Sequence, residues 1–258
     1  RSGDQRWDDL ARRVLLVCFI VTTSLGALTG VGIWLSASLI NPAAIGSLIR
    51  VFFWAWFFEW IVFVTEVVLI LIYFLSWRTA WARAHKRAHV GIGVALSIAS
   101  WLTMAVIVAI LGFQMDTGVW TVQPGFWTAV MNPIYLPQLL FRTPFALVTA
   151  ALFTLMLTGL FVRNDPEFRG RAVRTISTWS LVFTPLLALG AWTYWRAIPE
   201  RMLANIPVAL TSLTFTDFLD PLRLAIGISV GAMLLVAVWG IAAPRRLPAL
   251  VMVVPFLL

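Results

Sequence analysis

The sequence predicts an all-α fold, a polytopic transmembrane helical bundle with six full spans and one partial one. Composition is the first observation: 61% of the 258 residues are hydrophobic and 12% are charged, against about half and a quarter in soluble domains. The second is that the apolar residues gather into runs of the length a bilayer demands, about 20 residues each. The third is that the connectors between those runs alternate in charge, as orientation by the positive-inside rule requires.

The first span is expected over Val14–Ser36, just after Arg12 and Arg13. The others follow at Val51–Trp77, Val90–Phe113, Pro137–Val162, Val173–Trp195 and Leu219–Ala243. A seventh begins near Leu247 and runs to the last residue, Leu258, too short to cross. One bundle accommodates the length, so residues 1–258 are read as a single domain. The absence of Met at position 1 and the unfinished seventh run lead us to expect a piece of a longer protein.

Connectors 78–89, 163–174 and 244–247 are rich in Arg, whereas 37–49 carries no charge and 114–136 carries only Asp116. The 196–218 connector is mixed, with Arg196 and Arg201 against Glu200 and Asp217. This pattern places residue 1 and the Arg-rich connectors in the cytoplasm. The other side receives three longer loops rich in Trp, Pro and Phe, among them Trp120, Phe126 and Trp127. They read either as an interfacial aromatic belt or as a docking surface for an extracytoplasmic partner. The net charge of +8 comes almost wholly from Arg in short connectors, so it serves topology and gives no sign of nucleic-acid binding. The single Cys18 excludes a disulfide within the chain, and two His with one Cys leave almost nothing from which to build a metal site.

The second span is the unusual one. Within VFFWAWFFEWIVFVTEVVLILIYFLSW it holds Glu59 and Glu66. An acid at the centre of a membrane helix costs about 2.5–3.5 kcal/mol on insertion scales and normally faces protein or a wet path. A spacing of seven is about two turns, so both point the same way, roughly 10 Å apart along the axis. They read as a proton path or a cofactor pocket, and otherwise as structural acids bonded to a neighbouring helix. Arg142, inside the fourth span, either snorkels to the interface or pairs with a buried acid or a cofactor propionate. Asp220 and Arg223 are three apart and can pair on one helical face. His85 and His89 have a metal-compatible spacing of four, but Arg and Lys surround them and no third ligand is near, so they read as a solvated loop.

These residues resemble a family. The stretch FVTEVVLILIYFLSW is similar to the acidic helix of subunit I of cytochrome bd-type quinol oxidases. There, two carboxylates lie near the haem pair and its proton supply. Glu66 matches the second of them, and Glu59 the first with an offset of one residue. SLGALTGVGIW, GFQMDTG and MNPIYLPQLLFRTPFALVTAALF look like neighbouring family segments, so the likeness covers roughly residues 14–162 and continues more weakly to the end.

The departures limit what the resemblance implies. Arg142 stands where the family has a His ligand to low-spin haem b, and the corresponding Met position falls near Ala225, just after the family-like Arg223. The long quinol-binding loop is absent, and the resemblance implies a fragment lacking a preceding helix and the following helices, so the high-spin haem ligands would lie outside this sequence. The resemblance therefore implies a divergent oxidase-like subunit of a bacterial inner membrane, not a self-sufficient O2 reductase. It would couple the quinone pool to an extracytoplasmic multihaem or c-type cytochrome, together with other membrane subunits in the lipid bilayer. Glu59 and Glu66 would handle protons, and Arg142 and Arg223 would contact a propionate or a quinone. Any haem b would use ligands from outside this sequence. Two other readings stand beside it: a cofactor-free structural anchor, and a proton or ion transporter.

Overall fold

The structure, a computed structural model, describes residues 4–204 and 219–256. Residue 1, Asp217 and most of the 196–218 connector lie outside the described residues. No strand occurs among the described residues, and six helices are long and apolar enough to cross a membrane. The chain divides into two compact units, residues 1–135 and 136–258.

The first unit opens with α1 (Gln5–Val21), started by Asp4, whose side chain accepts a hydrogen bond from the Arg6 backbone N–H. A π-helical turn (Thr22–Gly26) joins it to α2 (Ala27–Ile40). Here the sequence supplies the cause. Thr22, Thr23 and Ser24 donate their hydroxyls back to the carbonyls of Cys18, Phe19 and Ile20, and such back-bonding loosens and bends a helix. The first predicted span is therefore one interrupted helix, longer than its apolar run. Asn41 caps α3 (Pro42–Val51) by accepting from the Ala44 N–H, with Pro42 at the first helical position where it costs no hydrogen bond.

The acidic helix is α4 (Phe53–Ser76). After the short α5 (Ala80–Ala84), α6 (Lys86–Met115) returns antiparallel to it, and α4 and α6 form the principal helix pair of the unit. Gly93 makes the close approach possible: a Cβ there would lie 2.8 Å from Cζ of Tyr73.

The loop after α6 folds back rather than spreading. A 3-10 turn (Gly118–Thr121) and α7 (Phe126–Val130) bring Ala129, Trp120 and Phe126 against Leu48, Phe52, Ile110 and Phe113. Gly118 has φ +54°, its N–H bonds to Asp116 Oδ1 at 2.9 Å, and a Cβ would strike Pro133. Asn132, buried, donates to the carbonyls of Ala109 and Ala129 and ties the loop to α6. Trp120 and Phe126 thus belong to this core rather than to a free aromatic surface. Trp127, 69% exposed, remains outward.

The second unit contains α8 (Tyr135–Phe161, from Leu136 onward), α9 (Pro166–Ala197), α10 (Leu219–Ala242) and α11 (Ala249–Val253), the last followed by a 3-10 turn (Val254–Phe256). α9 begins seven residues before its apolar run because Asp165 caps the Phe168 N–H at 2.9 Å and Pro166 fits the first turn. α9 and α10 pack together, with Gly240 against Ser177 and Val173, and the small residues Ala172, Ser180 and Ala237 are buried as well. With lipid as apolar as any side chain, close packing of small residues is what joins such helices. α8 joins α9 where Gly190 leaves room for the backbone of Phe141, whose ring stacks on Tyr194 at 5.7 Å. Buried Gln138 donates to the Tyr194 hydroxyl at 3.2 Å.

Candidate functional site

The Glu59–Glu66 face is built on the α4–α6 pair. Glu66 is half-buried and accepts two hydrogen bonds from α6. Ser100 Oγ donates to Oε1 at 2.7 Å, and Thr103 Oγ1 to Oε2 at 3.3 Å, sharing its one proton with the Ala99 carbonyl at 3.2 Å. Both donors lie in ASWLT, where residues three apart on a helix share a face.

Glu59 is half-buried too, but no hydrogen bond or ion pair engages it among the described residues. The register of the pair explains the difference. Phe52 meets Phe113 in an edge contact at 5.0 Å, Glu66 meets Ser100, and Tyr73 lies over Gly93. Continued at that constant antiparallel offset, Glu59 falls level with residues 106–108, Val-Ile-Val. α6 is polar opposite one acid and apolar opposite the other. The two carboxylates share a face and differ in environment. Glu66 is held in place, and Glu59, two turns away, has no hydrogen-bond partner among the described residues.

One end of the pair carries a second polar group. His89 is buried, which corrects its reading as part of a solvated loop. Its ring stacks on Tyr73 at 4.6 Å and meets Trp77 edge-on at 5.1 Å, and Nδ1 lies 3.2 Å from Ser76 Oγ. Nε2 is buried with no hydrogen-bond partner. The cause is the helix start: α6 begins at Lys86, so His89 already lies within the helix, on the side facing α4. His85, exposed, stacks on Trp81 instead. Lys86 reaches Asp8 at 2.6 Å in an exposed ion pair across the same end.

Arg142 and Arg223 lie in the second unit. Arg142 is half-buried within α8 and forms no ion pair among the described residues. Arg223 donates to Asp220 Oδ1 at 3.0 Å, and both side chains are largely exposed, so the pair contributes under about 1 kcal/mol to stability.

The two positions that the resemblance aligns with the low-spin haem ligands supply none. Arg142 cannot ligate iron, Ala225 has no ligating atom, and no group of three or more His, Cys, Asp or Glu converges among the described residues. Cys18 is a free, half-buried thiol.

Sequence reading missed Ser100, Thr103 and the burial of His89. The serines and threonine were visible as Ser97, Ser100 and Thr103 on an otherwise apolar span. Which of them faces α4 depends on helix pairing, which composition does not encode. No known protein family, curated protein or solved structure matches this chain.

Proposed function

We propose that the chain is a membrane subunit of a respiratory electron-transfer complex, and that the Glu59–Glu66 face handles its protons. The observation that carries this reading is the pair of carboxylates on a membrane-length helix, one bonded to hydroxyls of α6 and the other without a hydrogen bond or ion pair among the described residues. An acid that serves only to join helices has no reason to remain without a partner beside a Val-Ile-Val stretch, since the cost of placing it in the membrane is then uncompensated. A proton carrier needs an unblocked carboxyl.

In this reading α4 is covered by partner subunits or lipid. Only Ala55 of its side chains is buried, while Trp54, Phe57, Phe58, Trp60 and Phe63 are exposed. Together with the likeness of the acidic helix to the quinol oxidases, this gives the rest of the proposal: a subunit of the bacterial inner membrane with residue 1 in the cytoplasm, linking quinol oxidation to an extracytoplasmic c-type or multihaem cytochrome. Arg142 and Arg223 are the cations available to a quinone or a propionate.

A second reading, the cofactor-free anchor, is favoured by the Ser100 and Thr103 bonds, which give Glu66 a structural purpose. Glu59→Gln and Glu66→Gln in the assembled complex, assayed in native membranes for quinol-driven electron transfer, separate the two. Loss of a proton-transferring group costs about 100-fold or more in rate. That loss in Glu59→Gln is the expected result. Turnover within about twofold of the parent in both variants, a change too small for a lost proton-transfer group, would overturn the proton role and leave the anchor.

A further inference from the structure

At its Arg-rich end the second unit holds a recess of about 470 Å³ between the first turns of α9 and the end of α10. Arg171 and Arg174 line it from α9, Arg245 and Arg246 from the turn after α10, and Glu167 is the one carboxylate on its wall. We propose that this recess binds the phosphate of an anionic phospholipid headgroup.

Charge is the first argument. Four arginines and one acidic residue line the recess, and Arg174, Arg245 and Arg246 form no ion pair among the described residues. Arg171 lies over the Phe168 ring, 5.9 Å from its centre, and so approaches the recess from a packed position. Guanidinium groups match phosphate oxygens with paired, charge-assisted hydrogen bonds, which lysines do not reproduce.

Construction is the second. The recess is formed by backbone features that bare topology signals do not require. A Cβ on Gly170 would lie 2.9 Å from Arg245 Cγ, so the missing side chain is what lets the Arg245 stem lie across α9. The neighbouring Arg169 is turned away from anion binding, donating instead to the Leu247 carbonyl at 2.6 Å, which pins the chain just past the two arginines. These two contacts fix the turn that presents Arg245 and Arg246.

Position identifies the source of the phosphate. α9 and α10 are both long and apolar enough to cross a membrane, and the recess sits at their Arg-rich ends, where headgroups lie. Farther along the same helices Trp179, Val182 and Leu235 are exposed, so acyl chains find an apolar surface below the phosphate. Basic recesses between span ends are a known way of holding anionic lipid.

The test uses the whole protein purified in a neutral detergent, with native mass spectrometry after addition of an equal mixture of phosphatidylglycerol and phosphatidylcholine. The parent protein is expected to retain phosphatidylglycerol preferentially. Arg245→Gln/Arg246→Gln should lower that preference about tenfold, the equivalent of one charge-assisted hydrogen bond. Gly170→Ala leaves every charge in place but displaces the Arg245 stem, and should lower it in the same direction. Arg78→Gln/Arg83→Gln, which removes two arginines from a connector of the first unit, should leave it unchanged. Equal loss in that control would mean general charge attraction and overturn the site. Unchanged preference in both recess variants would overturn it as well. If inorganic phosphate at the same concentration displaced the lipid, the recess would take a soluble anion, and the lipid assignment would fail.

Discussion

The Glu66–Ser100 bond can be weighed directly. Glu66→Leu and Ser100→Ala, singly and together, form a double-mutant cycle on the α4–α6 pair. Side-chain hydrogen bonds between membrane helices average about 0.6 kcal/mol and reach about 1.7. At 2.7 Å, a short side-chain hydrogen bond, this one belongs in the upper part of that range. We expect a coupling of about 1–1.5 kcal/mol. Ser100→Ala alone should be costly because Glu66 then keeps only the longer 3.3 Å bond from Thr103. In the Glu66→Leu background the same change should cost little, because a lone serine can turn its hydroxyl back to its own helix, as Ser97 does to the Gly93 carbonyl at 3.0 Å. Reversible unfolding in mixed micelles measures each corner of the cycle, and Ser97→Ala serves as the uncoupled control. Additivity within about 0.5 kcal/mol, the spread expected of independent sites, would show that Ser100 does not hold Glu66, and the register that leaves Glu59 opposite an apolar stretch would fall with it.

Two further outcomes follow from the same helix pair. Gly93→Ala should destabilise the protein by about 1–3 kcal/mol, the cost of overpacking, because the new methyl meets Tyr73. Gly91→Ala, whose methyl meets nothing within 4 Å, should be neutral or stabilising by up to about 1 kcal/mol from helix propensity. Thermal unfolding of the two variants side by side checks the pair, and equal effects would refute the close contact. His85 should react readily with diethylpyrocarbonate and His89 should not, since His85 is exposed and His89 is buried between Tyr73 and Trp77; peptide mapping after brief treatment distinguishes them, and modification of both at one rate would return His89 to the solvent.

Hydropathy made the spans legible because the bilayer imposes a length that composition must meet. The ends were less so. The Asp165-Pro166 start carries α9 beyond its apolar run, and the hydroxyls of Thr22, Thr23 and Ser24 interrupt the first span, features that depend on capping and back-bonding rather than on hydrophobicity. The acidic face was legible for a simple reason: a spacing of seven is a property of one helix. Its chemistry was not, because the partner of each acid lies on a different helix. The same limit hid His89, whose charged sequence neighbours point outward while its own ring turns toward α4. What separates Glu59 from Glu66 is therefore not either residue but the offset of α6, which places Ser100 and Thr103 opposite one and Val-Ile-Val opposite the other. If protons move through this protein, that offset makes Glu59 the carboxyl to carry them and Glu66 the one that fixes the helix on which it stands.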